Sequence, residues 1–198
     1  HDDPNYGLLG RHWVDEREIA RALEAQGRRQ WLLGYRLLTA STDVFTLIPS
    51  VLPLAGAGNS VAVVMNSESS ASLVSLLSSM VCDYIVRQKL SGTNLSFFII
   101  EQVAVPPPSV FASIPTWTST TLDEWISPRV AEVVYTSYRI APFARDLGDQ
   151  GLPFRWLPER REAIRAELDA AMEAARASFS AMESPRPRAT ATGRARCW

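Results

Sequence analysis

Apolar residues follow two rhythms along this chain. Early on they form three short runs with interspersed polar positions: residues 30–41 (QWLLGYRLLTAS), 44–54 and 61–65. These runs predict three strands, with a turn at Ser41-Thr42-Asp43 and a loop over 55–60 between them. Pro49 and Pro53 cut the second run. The span 44–65 is apolar enough to suggest a membrane helix, but two prolines, Gly56, Gly58 and Asn59 argue for strand-loop-strand instead. Before the strands, residues 11–14 are a further strand candidate. Asp15 and Glu18 suit the start of a short helix carrying Ile19, Ala22 and Leu23 on one face, stopped by Gly27.

The second rhythm, spacings of three and four, begins after Asn66-Ser67-Glu68-Ser69, which offers caps. Leu73, Leu76, Leu77, Met80 and Tyr84 predict a helix over about 69–90. The turn Ser91-Gly92-Thr93-Asn94 follows, then an apolar run over 95–105 read as a strand, which Pro106-Pro107-Pro108 must end. Residues 109–121 read as a loop anchored by Phe111 and Trp117. Thr121 or Asp123 caps a helix to about 138, with Trp125, Val130, Val133 and Val134 inward and Pro128 near its first turn, where proline is tolerated. Residues 142–156 read as loop. Pro158 opens a helix over about 159–179 whose alternating charges predict a solvated, ion-paired surface rather than a binding face. From Ser184 the chain carries four arginines and no acid among prolines and small residues, and is expected to be a disordered basic tail.

At 198 residues and 46% hydrophobic, the chain predicts one globular domain with extensions. Net charge is −1, so no global basic field announces nucleic acid. Of the 20 basic residues only Lys89 is a lysine, a skew that fits a GC-rich genome. Cys82 lies in an apolar helical pattern and reads as a buried structural thiol, far from Cys197. A reducing cytoplasm fits this usage. The chain begins at His1 without a secretory pattern and reads as a piece of a longer polypeptide.

The chemistry that is missing narrows the choice. Lys89, the sole lysine, has Gln88 and Leu90 as neighbours, so the carboxylate-plus-lysine arrangement of metal-dependent nucleases is absent here. No Asn-Pro-Pro-aromatic or Asp-Pro-Pro-aromatic motif occurs, and Gly56-Ala57-Gly58 alone is too weak to mark a cofactor loop. His1 and His12 are the only histidines; no motif beside His12 supports a catalytic triad, and no Cys/His spacing suggests zinc. Thus no active site, metal site or cofactor site is expected in this segment.

Residues 82–107 (CDYIVRQKLSGTNLSFFIIEQVAVPP) resemble a run found near the C-terminus of large adenine-specific DNA methyltransferases of restriction-modification and phage-defence systems, including fused restriction-methylation enzymes with a TaqI-like specificity region. Three further blocks carry the resemblance: Tyr35-Arg36 with Ala40-Ser41-Thr42-Asp43 and Thr46-Leu47-Ile48-Pro49; Pro128-Arg129-Val130 with Ala141 to Gly148; and Pro153-Phe154-Arg155-Trp156 with Arg165 to Ala171. The sequence departs from the pattern at Phe45, where the family has Arg, at Asn94, where it has His, and after Ala171, where a divergent or frame-shifted end begins.

The resemblance implies an α+β fold of target-recognition type: a small mixed or antiparallel sheet with packed helices. The expected divisions are a lead-in with a short helix (1–30), an α/β recognition core (31–108), a helical extension (109–183) and the tail (184–198). It also implies a function, recognition of a double-stranded DNA site on behalf of the methyltransferase domain of the same polypeptide. S-adenosylmethionine and the flipped adenine would be held in an N-terminal part outside this chain. Candidate DNA contacts are Arg36, Arg87, Lys89, Thr93 and Asn94. Against this stands ion pairing of the basic residues with Asp43, Asp83 or Glu101, and simple turn formation by Gly92-Thr93-Asn94. The competing function is a structural or protein-interaction module of a restriction or phage-defence complex, without DNA contact of its own.

Overall fold

Prolines determine where the second strand can run. In the computed structural model, which describes residues 3–7, 14–23, 29–64 and 70–182, β1 (Trp31–Arg36), β2 (Pro49–Pro53) and β3 (Val61–Val64) form one antiparallel sheet in the order β2-β1-β3. Pro49 and Pro53 bound β2 instead of cutting it. They are accommodated because β2 is an edge strand among the described residues, where an amide facing outward needs no partner. β1 lies between its neighbours, with Leu33 opposite both Val51 and Val64. Trp31 to Tyr35 are all buried. A Cβ at Gly34 would come 2.8 Å from the Ala62 carbonyl oxygen, so close β1–β3 pairing requires glycine there.

Helices cover the sheet face that carries Trp31, Leu33 and Tyr35. The fold is α+β, as expected. The helix expected over 69–90 is two helices, α2 (Ser70–Ser78) and α3 (Met80–Lys89). The apolar spacing continues through the break, but Ser79 is extended (φ −74°, ψ 148°) and its hydroxyl accepts the Cys82 N–H at 3.2 Å. A serine that can cap competes with helix continuation. Asp169 supports the break by accepting the Met80 N–H at 2.8 Å.

The strand expected over 95–105 is also overturned. It contains a short helix, α4 (Phe97–Ile100), entered from an extended Ser96 and followed by a turn. The apolar run hid a helical spacing. Leu95 and Val103 are buried and Ile99 lies partly buried between them, while Phe97 and Phe98 are exposed. Strand propensity yields to that burial pattern. The short helix α5 (Pro108–Phe111) follows.

α6 (Leu122–Val134) starts at a complete capping box: the Thr121 hydroxyl accepts the Glu124 N–H, and Glu124 accepts the Thr121 N–H at 2.8 Å. It runs on through Pro128, which sits in its second turn rather than its first. Residues 142–156 are not all loop. They include most of α7 (Ala141–Asp146), which leads to Gly148 at φ 84°, a left-handed stop that favours glycine.

α8 (Pro158–Met182) differs from the solvated helix expected. It buries Ile164, Leu168, Ala171, Met172 and Ala175 against α6, α2, α3 and α5. Its ion pairs run to α6, not along its own face: Arg160 to Glu132 at 2.8 Å, and Glu167 to Arg129 at 2.7 Å. Arg129 also lies 3.5 Å from the centre of the Trp125 ring. Residues on both sides of position 108 share one hydrophobic core.

α1 (Glu16–Leu23) begins after Asp15, as expected. Asp15 accepts the Arg17 N–H at 2.9 Å, while Glu18 pairs with Arg21 at 3.0 Å rather than completing a capping box. His12, the strand candidate at 11–14 apart from Val14, the stop at Gly27, the caps at 66–69, Cys197 and the basic tail lie outside the described residues. Among the described residues no helix is long and apolar enough to cross a membrane.

Cys82 is fully buried, as expected, and burial pushes its thiol up to about 11. The folded thiol therefore holds its proton more tightly than the unfolded one, whose ordinary value is 9.0. Its contribution to stability is complete below that value and is lost as pH rises toward about 11. Urea midpoints should fall across that window, and the part due to this thiol should vanish in Cys82→Ala.

Candidate nucleic-acid interface

The C-terminal end of α3 and the turn after it are tied to the continuation of β1. The Thr39 N–H donates to the Thr93 carbonyl at 3.1 Å, the Leu95 N–H donates to the Leu37 carbonyl at 2.8 Å, and Leu38 pairs with Asn94 as an antiparallel bridge. These bonds fix the turn in place. Lys89, Gly92, Thr93, Asn94, Phe98 and Gln102 border an open depression of about 560 Å³. Gln102 donates to the Phe98 carbonyl at 3.0 Å.

The pleat brings Arg36 to the same surface. Trp31, Leu33 and Tyr35 belong to the core, so Arg36 and Leu38 project from the opposite face of their strand, and the bridge places Asn94 beside Leu38. Arg36 and Lys89 are exposed, and neither side chain makes a hydrogen bond or ion pair among the described residues. Behind them, burial and then the negative charge of Glu101 push the Tyr35 phenol above its ordinary value, and its buried oxygen has no hydrogen-bond partner among the described residues.

Arg87 is placed differently from the other four candidates. Like Arg36 it does not border the depression, but unlike Arg36 its side chain is bonded within the fold. Its guanidinium donates to the Ser41 carbonyl at 3.1 Å, to the Val44 carbonyl at 3.0 Å and to Asp83 Oδ2 at 2.9 Å. Asp83 Oδ1 in turn accepts the N–H groups of Thr46 at 2.6 Å and Leu47 at 2.7 Å. The pair thus fastens the loop between β1 and β2 to α3.

Lys89, Thr93 and Asn94 therefore meet on one surface, Arg36 reaches it from the sheet, and Arg87 serves the loop beside it. Asp83, expected as an ion-pair partner for the basic candidates, takes Arg87, as their spacing of four on one helix allows. Phe98 and Gln102 did not stand out in the sequence as parts of this surface. Nothing in the apolar run marked Phe98 as exposed.

The described residues contain no group of three or more His, Cys, Asp or Glu side chains able to hold a metal. No protein-family model, curated protein or solved structure matches the chain.

Proposed function

We propose that this chain is the DNA-recognition part of a site-specific adenine DNA methyltransferase or fused restriction-methylation enzyme. Its substrate is double-stranded DNA, and methyl transfer from S-adenosylmethionine takes place in another part of the same polypeptide. The observation that carries the reading is the gathering of Lys89, Thr93 and Asn94, all from the run that resembles those enzymes, around one open depression.

The chemistry suits a duplex. Lys89 is a compact cation for a phosphate, and Arg36 supplies a second positive charge on the adjoining face. The Asn94 amide offers a donor and an acceptor, the pattern that pairs with adenine in the major groove, and the Thr93 hydroxyl can serve either role.

A salt-dependent gel shift with the full-length protein tests this. Lys89→Ala should weaken binding and reduce the slope of log K against log salt by about 1, the release of one counterion. An unchanged slope would remove Lys89 from the phosphate contacts.

A second reading, docking of a partner protein without DNA contact, is favoured by exposed apolar side chains: Leu38, Val44, Phe45, Phe97 and Phe98 are all exposed, and Phe98 borders the depression. Partner binding through them would be nearly independent of salt.

A further inference from the structure

The loop between β1 and β2 is unusually well fastened for a segment that shows apolar side chains to solvent. Inside it, the Asp43 N–H donates to the Ala40 carbonyl at 3.1 Å, and the Asp43 carboxylate accepts the Ala40 N–H at 3.1 Å and the Thr39 hydroxyl at 3.3 Å. The Thr46 hydroxyl closes back on the Ala40 carbonyl at 3.2 Å. From α3, the Asp83–Arg87 pair holds two carbonyls and two N–H groups of the same loop.

The backbone of residues 41–47 is thus held from within, while the side chains of Ser41, Thr42, Val44 and Phe45 point out and those of Thr46 and Leu47 are buried. Ser41 and Thr42 are exposed, Val44 is 85% exposed and Phe45 is 48% exposed. Both carboxylates of the region, Asp43 and Asp83, are engaged in these bonds. What the loop offers outward is hydroxyl and hydrocarbon. It does so beside Thr39, which bonds Thr93 in the connection that follows Lys89; the Lys89 and Arg36 side chains have no partner among the described residues.

We propose that residues 41–45 form a base-contacting loop of the DNA interface, and that Arg87 is its positioning residue rather than a phosphate contact; this rests on the DNA-recognition reading above. Hydroxyls of Ser41 and Thr42 can accept from or donate to base edges, and Val44 and Phe45 can contact the thymine methyl group. Fixing the loop beforehand removes the cost of ordering it on binding. Arg87, with three internal acceptors, has no reason to release them for a phosphate.

The test is selection from a pool of randomised double-stranded DNA by the full-length protein, followed by salt titration on the enriched duplex. Phe45→Ala and Val44→Ser should change the enriched sequence and weaken binding to the wild-type winner about tenfold, with the salt slope unchanged. Arg87→Ala should do the same, also without a change of slope, whereas Lys89→Ala should lower the slope and leave the enriched sequence as it was. Near-ultraviolet circular dichroism reports folding, and the two exposed-residue variants decide the matter if Arg87→Ala does not fold. Identical enrichment by the loop variants would overturn the loop's role. A lowered slope in folded Arg87→Ala would overturn the positioning role. Wild-type protein that enriches no duplex would overturn the DNA-recognition reading and this inference with it. Loop variants that keep DNA selection but lose a protein partner would assign the loop to docking and overturn it as a base contact.

Discussion

Asp83→Ala is expected to destabilise the fold by about 3–5 kcal/mol, the range for removing one partner of a buried ion pair. The side chain is small, but three bonds converge on it: two loop N–H groups at Oδ1 and the Arg87 guanidinium at Oδ2. Thr46, one of the donors, belongs to a residue with no exposed surface, so its N–H would lose its acceptor away from water. The Arg87 side chain, 29% exposed, would keep its two carbonyls but lose its counter-charge. Asp83→Asn keeps an oxygen for the two N–H groups and gives up only the charged contact, so its cost should be nearer 1.5–3 kcal/mol, typical of a hydrogen bond to a charged group. Urea unfolding checks both. A shift of midpoint at constant slope is expected, and a loss below about 1 kcal/mol in the alanine variant would show that the loop does not depend on Asp83.

Phe143→Ala should cost a similar amount, about 3–5 kcal/mol, for a different reason. Phe143 is fully buried and meets Trp31 edge to face, with ring centres 4.9 Å apart. Trp31 is further held by its indole N–H, which donates to Asp146 at 2.6 Å, one turn along the same helix as Phe143. The contact therefore joins the first strand to α7, over a hundred residues later. Phe143→Leu refills most of the space and forfeits the ring contact, so about 1 kcal/mol is expected from it. Thermal unfolding distinguishes the two. Equal losses in both variants would mean that ring geometry, not volume, dominates this site.

These two sites show how far the sequence could be read. The strands were legible because β-branched and apolar residues cluster between turn residues, and Thr121 stood out as one of two candidate caps, although its pairing with Glu124 was not read. The break at Ser79 was not, because the apolar period runs on in phase while a serine hydroxyl and a carboxylate from distant α8 decide the local geometry. The helix at 97–100 was misread because phenylalanine and isoleucine favour strands wherever a sheet edge is available, and here Asn94 makes only a single bridge to the chain beyond β1. In the candidate site, residues adjacent in sequence could be grouped by eye. Lys89, Thr93 and Asn94 come together because the end of α3 runs directly into the turn that carries the other two. That Arg87 faces away from them depended on where residues 41–47 lie, which only the folded chain reveals.

The prolines of β2 have one more consequence. The Arg36 N–H donates to the Ile48 carbonyl at 3.1 Å, so position 48 and, by alternation, 50 and 52 turn their backbone groups toward β1. Positions 49, 51 and 53 face the other way, and the first and last of them lack an N–H. Val51 is left as the one backbone donor on that margin of the sheet. An incoming strand would find almost nothing to bond with, so this side of the molecule is guarded against edge-to-edge aggregation and strand exchange between copies. A larger polypeptide can carry this sheet at its surface without a further element to cover that margin.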